Sequence, residues 1–159
     1  MKNTVKPIPE GFHTLTPTLV VKDAKKAVEF YKRTFGAAVV GEICTMPDGK
    51  VGHMELQIGD SRFMMNEEFP EMGCLAPGKE GCAMSLYIYV KDVDATFKAA
   101  VAAGAKSLMP VADQFWGDRH GTVADPFGYR WSIATHKEDL TSAQIKARMD
   151  EAFAAPAGK

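Results

Sequence analysis

Two hydrophobic periods alternate along the chain, and each change of period marks an element. A period of two sends successive side chains to opposite faces of a strand. It runs through Leu86, Ile88 and Val90 against Ser85, Tyr87 and Tyr89, and through Met54, Leu56 and Ile58 against His53, Glu55 and Gln57. Trp131 and Ile133 oppose Arg130 and Ser132 in the same way. A first strand sets Leu15, Pro17, Leu19 and Val21 against Thr14, Thr16 and Thr18. A helical period gathers Ala27, Val28, Tyr31 and Phe35 on one face, and later Val93, Phe97, Ala100 and Val101. Asp23 and Asp92 each end a strand through Val-Lys-Asp and stand where a helix needs an N-cap. Gly36 and Gly104 close the two helices.

These signals recur in the same order, with the two Asp caps 69 positions apart, which predicts a duplicated strand–helix–strand–strand–strand module. The later strands fall from Ala38 to Cys44, Val51 to Ile58 and Arg62 to Met65, then from Lys106 to Val111, His120 to Ala124 and Tyr129 to Thr135. The expected class is α+β in a single domain, with modules at 14–66 and 84–136 joined by a Pro- and Gly-bearing segment at 67–83. Thr141 and Gln144 form a capping box for a C-terminal helix within 137–154, and 155–159 reads as a disordered tail. Ile145, Met149 and Phe153 recur every four residues, so one face of that helix is expected to be buried, on the domain or on a second subunit.

Charge and cysteine content narrow the function classes. Lys and Arg number 19 against 20 Asp and Glu, and no basic stripe stands out, which argues against nucleic acid. Cys44, Cys74 and Cys82 are odd in number and lack metal-type spacing, so free thiols in a reducing compartment are expected. The first residues lack a signal-peptide apolar run and no apolar stretch reaches membrane-spanning length. The sequence is therefore read as cytoplasmic, with no membrane partner.

The most specific stretch is Asp125-Pro126-Phe127-Gly128-Tyr129-Arg130-Trp131, a turn between two strands. With Phe30-Tyr31, Phe35-Gly36-Ala37, His53-x-Glu55-Leu56-x-Ile58-Gly59-Asp60, Trp116-Gly117-Asp118-Arg119 and Ala134-Thr135-His136-x-Glu138-Asp139, it resembles the vicinal-oxygen-chelate superfamily of glyoxalases, bleomycin-resistance proteins and extradiol dioxygenases. The closest resemblance is to its demethylubiquinone-methyltransferase-like, or PhnB-like, branch. That resemblance implies a curved mixed sheet around a cleft, helices on the convex side, a homodimer, and metal ligands at four equivalent strand positions. Here those positions fall at Thr16, Met64 or Met65, Ser85 and Ser132, which carry no thiolate, imidazole or carboxylate for a dication. Glyoxalase I and dioxygenase activities are therefore not expected. The chain has no glycine-rich nucleotide loop after its first strand, so the methyltransferase label finds no support.

Two functions remain. One is a binding protein for a small organic molecule, with Thr16, Gln57, Tyr87, Tyr89, Phe115, Trp116, Arg119, Arg130 and Ser132 as candidate ligand contacts. The other is a lyase or isomerase on a small oxygenated substrate. For that reading His53 and Glu55, two apart on one strand face, would be about 6–7 Å from each other and would act as acid and base. No cofactor is assigned, although the His53–Glu55 pair leaves a non-standard divalent metal site open. His13 and His136 are expected at the surface, and His120 has no assigned role.

Overall fold

The computed structural model describes residues 5–154, so the expected tail at 155–159 lies outside the described residues. The chain divides into two compact units between Gly81 and Cys82, and each repeats one topology. In the first unit, β1 (Thr18–Val21) leads through α1 (Ala24–Phe35) to β2 (Ala38–Thr45), β3 (Val51–Ile58) and β4 (Ser61–Glu67). The sheet order is β1-β4-β3-β2, with β1 parallel to β4 and the other pairs antiparallel. In the second unit, β5 (Ser85–Tyr89), α2 (Val93–Ala102), β6 (Lys106–Asp113), β7 (Asp118–Ala124) and β8 (Arg130–His136) repeat this as β5-β8-β7-β6, and α3 (Ser142–Ala152) follows. The α+β class, the tandem modules and the C-terminal helix are as the sequence predicts.

The caps decide where the helices start. Asp23 accepts a hydrogen bond from the Lys26 amide, Asp92 from Ala95, and Thr141 forms a reciprocal capping box with Gln144. Burial decides which strand face turns toward the helix. In the first unit Leu19, Val21, Met54, Leu56, Phe63 and Met65 are buried on one face, and the Tyr31 ring of α1 meets Phe63 edge-on at 6.0 Å. In the second, Val123, Trp131 and Ile133 are buried with Val93 and Ala100 of α2. Each such side chain contributes about 1.5–3 kcal/mol on leaving water. α2 approaches β7 closely at Gly121, where an added Cβ would lie 2.9 Å from both Phe97 and Val111.

Three expectations change. The first strand begins at Thr18, not earlier: Pro17 accepts from the Met64 amide but has no N–H to return, and Leu15 is exposed. Val101 is exposed, because the buried stripe of α2 ends with Ala100. No residue of α3 is buried; Arg148 of the helix pairs with Glu138 through bonds of 3.1 and 2.7 Å, and the neighbouring Phe153, which is exposed, meets Phe115 edge-on at 5.9 Å. Residues 67–81 belong with the first unit and carry a short 3₁₀ turn at Pro70–Met72. Among the described residues no helix is long and apolar enough to cross a membrane.

Candidate functional site

The polar face of the second sheet is organised by one buried carboxylate. Asp118 opens β7 and is 3% exposed. Its Oδ2 accepts hydrogen bonds from the hydroxyls of Tyr87 and Tyr89, each at 3.0 Å, and from the Trp116 indole N–H at 3.2 Å. Its Oδ1 pairs with His136 Nδ1 at 2.8 Å, and His136 Nε2 reaches Asp139 at 3.0 Å. The register explains the convergence. Tyr87 is paired with Ser132 and Tyr89 with Ala134, while Asp118, His120 and Thr122 face His136, Ala134 and Ser132. With a period of two, all these side chains share one sheet face, opposite to Trp131 and Ile133.

The loop before β7 needs a glycine. Gly117 has φ +97°, and a Cβ there would lie 2.5 Å from the Glu138 carbonyl oxygen. Its own carbonyl accepts from the amides of Lys137 and Glu138, so the Trp116 loop and the end of β8 are stitched together beside Asp118. A shallow pocket of about 260 Å³ borders this point, lined by Asp113, Gln114, Gly117, Asp118, Lys137 and Glu138.

The rings form a platform. Tyr87 and Tyr89 are 46% and 64% exposed, and their centroids lie 5.2 Å apart. Behind them His120, 5% exposed, stacks on Tyr87 with an interplanar angle of 9° and meets Trp116 at 62°. Burial pushes the Asp118 carboxyl up, but the bonds from His136, Tyr87, Tyr89 and Trp116 outweigh it and hold it below the usual carboxylate range. Burial first, and then Asp118, raises both tyrosines. Asp118 first, then Asp139, raises His136, because both ring nitrogens face carboxylates and the imidazolium donates to each. Burial lowers His120, against the pull of Asp118.

The signs of these shifts make a test. A raised His136 stabilises the fold below its unfolded value of about 6.5, and that contribution is lost as pH rises through its folded pKa. The lowered His120 acts oppositely, losing stability as pH falls below about 6.5. The melting temperature of the protein minus that of His136→Gln is therefore expected to be larger at pH 6 than at pH 9. An equal difference at both would show that His136 carries no charge-linked stability.

The other predicted residues are spread over two faces and both units. Arg119 lies on the helix-covered face of β7, where α2 packs. Asp94 of α2 holds it through two bonds at 2.7 and 2.8 Å, and Asp113 binds it at 3.1 Å, so it is not part of the aromatic face. Phe115 supports Trp116 edge-on at 4.9 Å. Arg130 and Ser132 share the aromatic face, and the Ser132 hydroxyl is 3.4 Å from that of Ser85. In the first unit His53, Glu55 and Gln57 do share a face. Glu55 is 3.8 Å from both His53 Nε2 and Arg62, and Arg62 also bonds Gln57 and the Glu10 carbonyl, with Phe12 over its guanidinium. Thr16 lies ahead of β1 and bonds the His13 carbonyl. At Thr16, Met64 or Met65, Ser85 and Ser132, where the resemblance puts metal ligands, the side chains are neutral hydroxyls and a thioether, a donor set that does not fit a dication.

Asp118, His120, His136 and Arg62 were not among the sequence-derived candidates. The available signal was the i, i+2 spacing of Asp118 and His120. The hydrophobic pattern starts this strand at His120, whereas β7 starts two residues earlier and so brings Asp118 onto the same face.

Residues 12–133 match the model of the Glyoxalase/Bleomycin resistance protein/Dioxygenase superfamily. The chain belongs to that superfamily. It is 39% identical over 142 residues to an uncharacterised protein of Mycobacterium tuberculosis, covering 85% of this chain and 81% of that one. The crystal structure of an Arabidopsis thaliana gene product is 31% identical with a TM-score of 0.61, covering 77% of this chain and 98% of that one. A PhnB protein of Bacillus cereus shares the fold at 23% identity and a TM-score of 0.58, covering 77% and 99%.

Proposed function

We propose that the chain binds a planar organic molecule on the aromatic face of its second unit. The observation that carries this is the pair Tyr87 and Tyr89. Both rings are substantially exposed, yet both hydroxyls are locked on one buried carboxylate. An exposed aromatic ring held in one orientation loses little freedom when a ligand stacks on it. Stacking requires no charge at the metal positions, in keeping with the donor set there. Resistance proteins in the superfamily's description are consistent with a binding role, and its enzymes leave room for chemistry.

A second reading, a lyase or isomerase on a small oxygenated substrate, is favoured by Glu55 lying 3.8 Å from both His53 and Arg62. There His53 and Glu55 would exchange a proton and Arg62 would hold the substrate's oxygen.

Equilibrium dialysis with naphthalene as the reference planar probe tests the binding reading. Tyr89→Ala is expected to weaken binding about tenfold, the equivalent of one aromatic contact. His53→Gln is expected to leave it unchanged. Equal affinity in Tyr89→Ala and the parent would rule out the platform.

A further inference from the structure

His120 touches Tyr87 and Trp116 through its ring but has no hydrogen-bond partner. Neither Nδ1 nor Nε2 has a hydrogen bond, and among the described residues these are the two buried side-chain nitrogen or oxygen atoms left unsatisfied. A buried group in that state costs about 1–3 kcal/mol, so a fold that keeps one is expected to use it. The surroundings supply no internal partner. Across β6 and β8 the paired residues are Ala112 and Ala134, which offer methyl groups only. Asp118, two residues away on the same face, has its oxygens turned to Tyr87, Tyr89, Trp116 and His136.

Two aromatic rings lie against the imidazole. Tyr87 lies parallel to it at a centroid distance of 5.4 Å, and Trp116 meets it at 5.7 Å. Tyr87 is itself 46% exposed and is tethered at its far end by the hydroxyl bond to Asp118. Turning Tyr87 about its side-chain torsions, at the expense of its single bond to Asp118, uncovers the histidine and leaves Tyr89 in place as the stacking surface.

We propose that His120 is a ligand-binding residue that accepts a hydrogen bond from the hydroxyl of a planar, uncharged hydroxyarene seated on the aromatic face. This deepens the reading above and rests on it for the stacking contact. A neutral imidazole has one N–H donor and one bare nitrogen, and the bare nitrogen suits a phenolic O–H. Burial keeps His120 neutral at pH 7. The ionised Asp118 beside it disfavours an anionic ligand, so a phenol fits where a phenolate or carboxylate does not.

The test compares 2-naphthol with naphthalene by equilibrium dialysis at neutral pH, where the naphthol keeps its proton. The parent protein is expected to bind the naphthol about tenfold more tightly, the equivalent of one buried hydrogen bond. His120→Phe, which keeps a ring under Tyr87 but has no nitrogen, is expected to reduce that preference to twofold or less while still binding naphthalene. His120→Leu serves if the phenylalanine variant does not fold. In the parent labelled with ¹⁵N-histidine, one imidazole nitrogen is expected to shift on adding naphthol and not on adding naphthalene. A naphthol preference that survives in the variant, a parent without the preference, or unmoved imidazole nitrogens at saturating naphthol would each overturn the proposal. Naphthol binding that depends on His120 but not on Tyr89 would sink the stacking reading alone, and binding of neither compound would sink both.

Discussion

Asp125→Ala is expected to destabilise the protein by about 4 kcal/mol, which in a chain of this size lowers the melting temperature by about 10 °C. Asp125 is buried at the turn after β7. Its Oδ1 accepts from the amides of Phe127 and Tyr129, both at 2.9 Å, and its Oδ2 from the indole N–H of Trp131 at 2.9 Å. Alanine removes the acceptor for all three donors at once. Tyr129 and Trp131 are buried, so water does not replace it. Trp131 is also the largest fully buried side chain among the described residues, and freeing its indole loosens the core beneath α2. Urea unfolding of the variant measures the loss. A change below about 1 kcal/mol would mean that the turn is held by its backbone bonds alone. The Asp-Pro-Phe-Gly-Tyr-x-Trp motif thus has a structural cause: the carboxylate closes the turn and anchors the tryptophan two strand positions beyond Tyr129.

Asp118→Ala is expected to cost about 2–4 kcal/mol and to disorder the aromatic face. Four donors lose one charged acceptor. The two tyrosine residues are partly exposed, so water recovers part of the loss and the total stays below the sum of four charged bonds. The spectroscopic consequences are more specific. With Asp118 gone, one cause of the raised Tyr87 and Tyr89 titrations disappears, and both are expected to ionise at lower pH, read from tyrosinate absorbance. His136 is expected to fall back toward its ordinary range, because its first cause is removed. Naphthalene affinity is expected to drop about fivefold as the platform loses its fixed orientation. Asp118→Asn keeps an acceptor oxygen and is expected to retain much of the stability but not the His136 shift. Unchanged tyrosine and histidine titrations in Asp118→Ala would contradict the carboxylate's central place.

The helix starts and the strand faces were legible because they are set by neighbours in the chain. Asp23, Asp92 and Thr141 cap helices through bonds to amides three residues on, and Met54 and Leu56 go inward because a strand alternates. Arg119 was not legible. Its charge suggested a ligand contact, but its position on β7 turns it to α2, and which acids wait there depends on how the helix packs. His136 was expected at the surface and is indeed exposed, yet its ring is tied at both nitrogens. Exposure follows from its place at the end of β8. Its partners depend on the register that sets it across from Asp118.

The sequence by itself determined the duplicated module, the family and the polar faces of β1, β3, β5 and β8, because period, caps and turn chemistry act over a few residues. Only the tertiary structure decided that Tyr87, Tyr89, Trp116 and His136 converge on Asp118 and that His120 is left buried without a hydrogen bond among them. The physical reason is strand register. Tyr87 and Asp118, 31 positions apart, meet when β5, β8 and β7 pair, and a slip of one residue would turn each of those side chains to the other face.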